Sequence, residues 1–319
     1  MFVFIKCSKI GLTAALIAGV TLVAGPAQAA TAPVSNPRIL VHLNLSTGQE
    51  PQNIALEPDG SADVTFDSIG QVARVTRSGQ IQVITHIPIP EHGDIPIFHD
   101  KIFTGGLVIA PDGFRYVAVS TGLANSTGIY RFRPGQPATR IAALPAGSFL
   151  NGLGIDKPSG QLYVADSVQS TIWRVPVRGG AASAWAKGPA LAPHDFLGAN
   201  GLQVHNGSVW VSNTDAQTLI RIPITRNGDA GAPRTIASKL GAIDDFAFTG
   251  WDNTVLAALH DENRVILIRP NGKASTVLTA ADGLSNPTSV AVRGSTVYVT
   301  NAANPTTKNP NVLLAQLRR

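Results

Sequence analysis

Asn151–Ser167 reads NGLGIDKPSGQLYVADS. Its apolar residues alternate with small or polar ones, Lys-Pro-Ser-Gly interrupts the alternation, and a second alternating run follows. A period of two is that of a strand, and the Pro/Gly cluster is a turn, so the stretch describes two short strands back to back. The same grammar recurs as PQNIALEPDGSADVTF from Pro51, TGGLVIAPDGFRYVAVS from Thr104 and NGLQVHNGSVWVSNT from Asn200. It recurs again as DDFAFTGWDNTVLAALH from Asp244 and TSVAVRGSTVYVTNA from Thr288. A third strand follows each copy, often with an arginine (QVARVT, GIYRFR, TIWRVPV, TLIRIPI), and fourth strands such as IQVITHI and TRIAALP close several of them.

Aligned on their first strands, the repeats place Gln52, Gly105, Asn151, Asn200, Asp244 and Thr288 at one equivalent position, in steps of 53, 46, 49, 44 and 44 residues. Four strands in about 45 residues is the size of a propeller blade. The sixth copy has too little chain for a fourth strand, while Arg38–Leu45 (RILVHLNL) has no blade of its own. The expectation is an all-β, six-bladed β-propeller of four-stranded blades over residues 30–319, its ring closed by the N-terminal strand, which removes an open edge. A β-sandwich would not account for six copies in one register.

Composition agrees. Of 319 residues 44% are hydrophobic and 14% charged, with 31 Gly and 22 Pro, which excludes a disordered chain, a coiled coil and a helical bundle. Residues 1–29 (MFVFIKCSKIGLTAALIAGVTLVAGPAQA) carry two lysines, an apolar run from Leu12 to Ala24 and an Ala-x-Ala end, the pattern of a cleaved export signal. The run is short of the ~20 residues that span a bilayer. The expected location is periplasmic or extracellular, with no membrane attachment after cleavage. The one cysteine, Cys7, lies in that signal, so neither disulfides nor thiolate chemistry are expected. The formal charge of +5 includes Lys6 and Lys9, and the remainder is too mild for nucleic-acid binding. The expected partner is a small molecule, and the chain is expected to be a monomer.

First strands of propeller blades line the central channel, so the equivalent positions converge at one mouth. Gln52, Asn151, Asn200 and Asp244 would bring oxygen atoms there, with Gly105 leaving one side open. Such a set suits a hard divalent cation such as Ca2+. No His or Cys occupies the ring, which argues against zinc or copper. Asn and Asp at single turns need mean no more than satisfied backbone, and it is their recurrence that points to a ligand. His260 ends the second strand of the fifth repeat, on the side where the ring lies, and imidazole suits general-base work. His194 and His99 sit in loops that could reach the mouth. The segment Ile87–Lys101 lengthens the first repeat step and would arch over the mouth as a lid. Trp173, Trp185, Trp210 and Trp251 read as packing between blades, and Arg74, Arg131, Arg174 and Arg221 as blade-edge surface.

NGLGID from Asn151, ANGLQV from Ala199 and IDDFAF from Ile243 resemble blade starts of the senescence marker protein/gluconolactonase family and, more widely, of paraoxonases and diisopropylfluorophosphatase. The resemblance covers essentially the whole chain after the signal. It implies a calcium at the channel mouth, with Asn151, Asn200 and Asp244 at ligand positions, Asp245 at a further ligand position found in the paraoxonases, and His260 near their pocket histidine. It departs at the first blade, where the family's Glu is Gln52, and Glu50 stands two residues away. The implied function is an exported, calcium-dependent hydrolase of lactones or related esters, with His260 and Asp244 catalytic. The alternative is a non-catalytic propeller that binds a ligand or protein. No Gly-x-Ser-x-Gly elbow, His-Glu-x-x-His or phosphate-binding loop is present.

Overall fold

The structure, a computed structural model, describes residues 32–99, 101–304 and 309–318, so the export signal lies outside the described residues. Among them, 24 strands form six four-stranded antiparallel sheets. Five blades run in simple sequence order. The first, for example, consists of Pro51–Leu56, Ala62–Phe66, Gln71–Val75 and Ile81–His86. The sixth consists of Pro287–Arg293, Thr296–Asn301 and Asn311–Leu317, with Val34–His42 as its outermost strand.

The closing strand pairs antiparallel with the C-terminal one, from Val34 opposite Leu317 to His42 opposite Asn311. It begins four residues earlier than the apolar run suggests and stops at His42. Beyond it Leu45–Thr47 forms a single 3-10 turn, capped by the Asn44 side chain. Leu43 is buried with Ile54, Val64, Tyr298 and Val312, which ties the sixth blade to the first.

Both faces of each sheet are covered, and the apolar core is divided into interfaces between neighbouring blades. The tryptophans occupy them as the repeat implies. Trp173 packs between blades two and three, Trp185 between three and four, Trp210 between four and five, and Trp251 between five and six. The third-strand arginines depart from expectation, because they are half-buried rather than free edge charges. Arg74 holds the fully buried Asp63 with two hydrogen bonds, at 2.8 and 3.1 Å, and Asp63 also accepts from Arg115 of blade two.

Around the channel each inner strand packs against the inner strands of both neighbours, and the first meets the sixth. Hydroxyls in or just after the second strands tie blade one to two, three to four and four to five. Thr65 donates to the Gly105 carbonyl, Ser167 to that of Ala199 and Thr214 to that of Ile243. These bonds satisfy backbone groups that the ladders leave open and fix the height at which one blade meets the next.

Candidate functional site

The ring residues do not sit in turns ahead of the inner strands. They lie inside those strands, at a β-bulge that recurs in every blade. The pairing of first and second strands breaks between Pro51 and Asn53, Thr104 and Leu107, Leu150 and Leu153, Ala199 and Leu202, Ile243 and Phe246, and Pro287 and Ser289. A bulge frees a residue from the ladder and re-aims its side chain. Gln52, Asn151, Asn200 and Asp244 thereby face one pocket. The glycine after each asparagine is a packing requirement. A Cβ on Gly152 would stand 2.4 Å from the Asn200 carbonyl oxygen, and one on Gly201 would stand 2.6 Å from that of Asp244.

The ring is not uniform. Thr288 turns its hydroxyl to the Pro51 carbonyl at 2.8 Å and seals the sixth blade to the first. Asp245 sits one step below the pocket, 5% exposed, and its Oδ2 accepts from Asn53 Nδ2 at 2.9 Å and Ser289 Oγ at 2.6 Å. Asn53 Oδ1 in turn accepts from the Leu107 amide, so one carboxylate links blades five, six and one, and through Asn53 blade two. Asp245 Oδ1 is buried without a partner. Asp245→Ala is expected to lower stability by about 3 kcal/mol, the scale of hydrogen bonds to a buried charge. Thermal unfolding in a chelator measures this, because a residue serving only as a metal ligand would leave the cation-free melting temperature unchanged.

Asn200 is 2% exposed. Its Nδ2 donates to Thr214 Oγ1 at 2.9 Å, which fixes the amide, and its Oδ1 is buried with no partner. Asp244 is reached by solvent only in part, from the pocket, although it lies deep in the ring. Burial pushes its carboxyl up to about 7, with the Asp245 charge adding to the rise and His260 and Asn200 opposing it. Burial likewise raises Asp245 to about 6 against its bonds to Ser289 and Asn53. Among the described residues no ion pair reaches either carboxylate. Two adjacent carboxylates whose one opposing charge is the more distant His260, beside an amide oxygen without a donor, fit a hard cation. Among the described residues no three His, Cys, Asp or Glu side chains cluster as a metal group, so such a site would draw most of its oxygens from amides.

The second strands return to the same mouth. His260 follows Val255–Leu259 and lines the pocket with Asp244. Its Nδ1 is 2.9 Å from Asp261 Oδ1. Burial would lower the imidazole, but Asp261 and the Asp244 charge outweigh it and hold it above its ordinary value. The position equivalent to His260 in blade one is Asp67, which also lines the pocket and was missed, although the same register argument reaches it. Burial, with help from the Glu50 charge and against a bond from Ser68, raises Asp67 to about 6. Glu50 itself does not line the pocket. His99 and His194 do not line it either. His99 is exposed, 3.9 Å from Asp94.

The remaining wall is aromatic. Phe98 comes from the long segment before blade two, Phe103 and Phe149 from the entries to blades two and three, and Phe196 from the loop before blade four. The lid expectation for Ile87–Lys101 is met to the extent that Phe98 lines the pocket and Ile95 is fully buried against Phe103 and Phe149. Ala302 and Asn304 complete the rim.

Asp67, Asp244 and Asp245 are each held above the ordinary carboxyl value of 3.8, so the folded chain binds these protons more tightly than the unfolded one. Their contribution to stability is present at low pH and is lost as pH rises from about 4 through about 7. In a chelator the melting temperature is expected to fall between pH 5 and pH 8, and Asp244→Asn to flatten that fall. Added calcium is expected to raise the melting temperature more at pH 8 than at pH 5. Thermal scans across that range check both.

No protein-family model matches the sequence, and no curated protein matches it. Solved structures do match over most of the chain. A protein assigned to the gluconolactonases is 15% identical with a TM-score of 0.64, covering 89% of this chain and 92% of that one. The calcium-binding protein regucalcin from Agrobacterium tumefaciens is 16% identical with a TM-score of 0.63, covering 89% and 96%. A catalytically inactive His-to-Ala form of virginiamycin B lyase from Staphylococcus aureus, with quinupristin, is 14% identical with a TM-score of 0.59, covering 89% and 99%. The six-bladed fold expected from the blade-start motifs is thus shared with the gluconolactonase and regucalcin structures.

Proposed function

We propose that this six-bladed propeller is an exported, divalent-cation-dependent hydrolase of lactones or related esters, acting at the channel mouth. The observation that carries the reading is the meeting, in one pocket, of Asp244, the unpartnered Oδ1 of Asn200 and the His260–Asp261 pair. Asn151, Asn200, Asp244 and Gln52 would hold a Ca2+ or similar ion, with Asp245 supporting them from below. Such an ion, when bound, would polarise the substrate carbonyl and stabilise the oxyanion. His260 would take a proton from the attacking water, with Asp261 orienting its ring. The export signal at residues 1–29 would deliver the chain to the periplasm or beyond. The calcium-binding regucalcin and the gluconolactonase assignment among the fold neighbours support this reading by analogy only.

A second reading has its own observation. Gln52 brings an amide oxygen where the resemblance has a carboxylate, so the ring carries less negative charge for a cation. A propeller that kept the fold and binds a ligand or protein without catalysis is consistent with it.

Gln52→Glu separates the two. The change is nearly isosteric and adds charge to the ring, so calcium binding is expected to tighten. Hydrolysis across a lactone and ester panel is expected to appear or rise with it. His260→Asn in that background is expected to cut the rate by about 10²–10⁴-fold. Product masses show whether water is added, which distinguishes hydrolysis from a lyase reaction. Tighter calcium binding with no turnover of any panel member would leave the binding reading in its place.

A further inference from the structure

The mouth pocket is polar on its floor and aromatic on one wall, and the wall is built with some care. Phe103 and Phe149, 2% and 1% exposed, stack with centroids 4.3 Å apart and planes at 28°. Phe98 lies 5.6 and 5.5 Å from them. Phe196 differs from these three in being 53% exposed. Among the described residues only Val83 is likewise a large exposed hydrophobic, and it stands on an outer strand away from the pocket.

Phe196 is also held in place. The backbone amides of His194, Asp195 and Phe196 all donate to Asp215 Oδ2, at 2.8, 2.9 and 2.8 Å, and the Asp215 amide donates to the Leu197 carbonyl at 3.0 Å. Three successive amides on one carboxylate oxygen fix the loop backbone and with it the point from which the Phe196 side chain emerges. A chain gains nothing in solubility by pinning an exposed phenylalanine. The arrangement makes sense if a ligand covers it.

The pocket encloses about 370 Å³, within the range of small-molecule sites. No Lys or Arg lines it, while Asp67, Asp244 and Asp261 do, so the charged lining is mainly acidic and favours an uncharged group over an anionic one. A flat apolar group would cover the phenylalanine faces more completely than a polyhydroxylated one.

We infer that the aromatic wall is a subsite for an uncharged aryl or similarly flat apolar group on the substrate, with Phe196 as its outer face and Asp215 as the residue that positions Phe196. This rests on the proposed reading of the pocket as the place where substrate binds. Aromatic faces accept a flat apolar group by offset or edge contact, which selects shape as well as hydrophobicity.

The test uses 1-naphthylacetamide, a neutral aryl amide that an esterase leaves intact, titrated by fluorescence against the full chain with calcium present. Saturable binding is expected, displaced by aryl esters but not by glucono-lactone. Phe196→Ala is expected to weaken it about tenfold. Asp215→Asn is expected to weaken it by a similar factor, and the double variant no further than either alone, because Asp215 acts through Phe196. Phe196 is exposed, so its truncation leaves the core intact, and Phe196→Leu, expected to fall between, guards against an unrelated loss. Wild-type-like binding by Phe196→Ala, or no binding by the parent chain, overturns the inference. If aliphatic lactones are hydrolysed while the naphthyl probe is ignored, this inference fails and the hydrolase reading stands. If the probe binds as described while no ester is turned over, the reverse holds.

Discussion

Asp244→Ala is expected to abolish cation-dependent stabilisation and, with it, any hydrolytic activity. Asp244 is the ring's carboxylate at the pocket, and its raised proton affinity is that of a carboxylate whose burial outweighs the opposing His260 charge. A ligand that binds only the folded chain stabilises it by about 2.7 kcal/mol at a hundred times its dissociation constant. In a domain of this size that is a shift of about 4 °C. The wild-type chain should show it on adding calcium, and Asp244→Ala should not. Asp244→Asn keeps the shape, so a matching loss there assigns the effect to charge rather than to a cavity. Because removing the carboxylate also removes an unpaired buried charge, the alanine variant should be at least as stable as the wild type in a chelator at pH 8. An unchanged response to calcium in both variants would move the cation site elsewhere.

The blade count and the closing strand were legible because they depend on periodicity and on arithmetic. Six copies at near-equal steps, with one strand too few at the end and one too many at the start, allow few other arrangements. His260 was legible for a related reason, since the end of a second strand must return to the height at which the first began. The bulges were not. Asn-Gly reads equally as a turn or as a break in pairing, and only the backbone of the adjacent strand, too near for a Cβ at Gly152 or Gly201, decides between them. Asp244 and Asp245, neighbours in sequence, part company, one lining the pocket and the other buried against Asn53 and Ser289. The aromatic wall was beyond reach for a different reason. Phe98 and Phe196 arrive on loops without a repeat to align them, and the placing of Phe196 depends on a carboxylate 19 residues further along.

A chain begun at residue 43 is expected to lose about 10 °C or more in melting temperature and to aggregate. It lacks the outermost strand of the sixth blade, so Asn311–Leu317 becomes an edge. Val312, Leu313, Ala315 and Leu317 are all buried there, and an unpaired apolar edge invites pairing between molecules. Losing one ladder and the apolar surface it covers costs several kcal/mol. Thermal unfolding with light scattering measures both effects. Supplying residues 32–42 as a separate peptide should restore part of the loss, and a truncated chain as stable as the parent would show that the closing strand contributes nothing.

Val34 pairs with Leu317, so two stretches far apart in sequence meet in a single sheet. The earlier stretch therefore waits for the later one before it can pair. Contacts so distant in sequence form slowly, because the loop must close before its bonds reward it. Blades one to five can assemble from local hairpins as the chain emerges, but the sixth cannot exist in any nascent chain that stops short of Asn311. If the chain crosses a membrane unfolded, as the export reading requires, ring closure falls on the far side, after release. Until then the two unpaired strands are the part of the molecule most open to proteases and to neighbouring chains, and the rate of that one late pairing sets how long the exposure lasts.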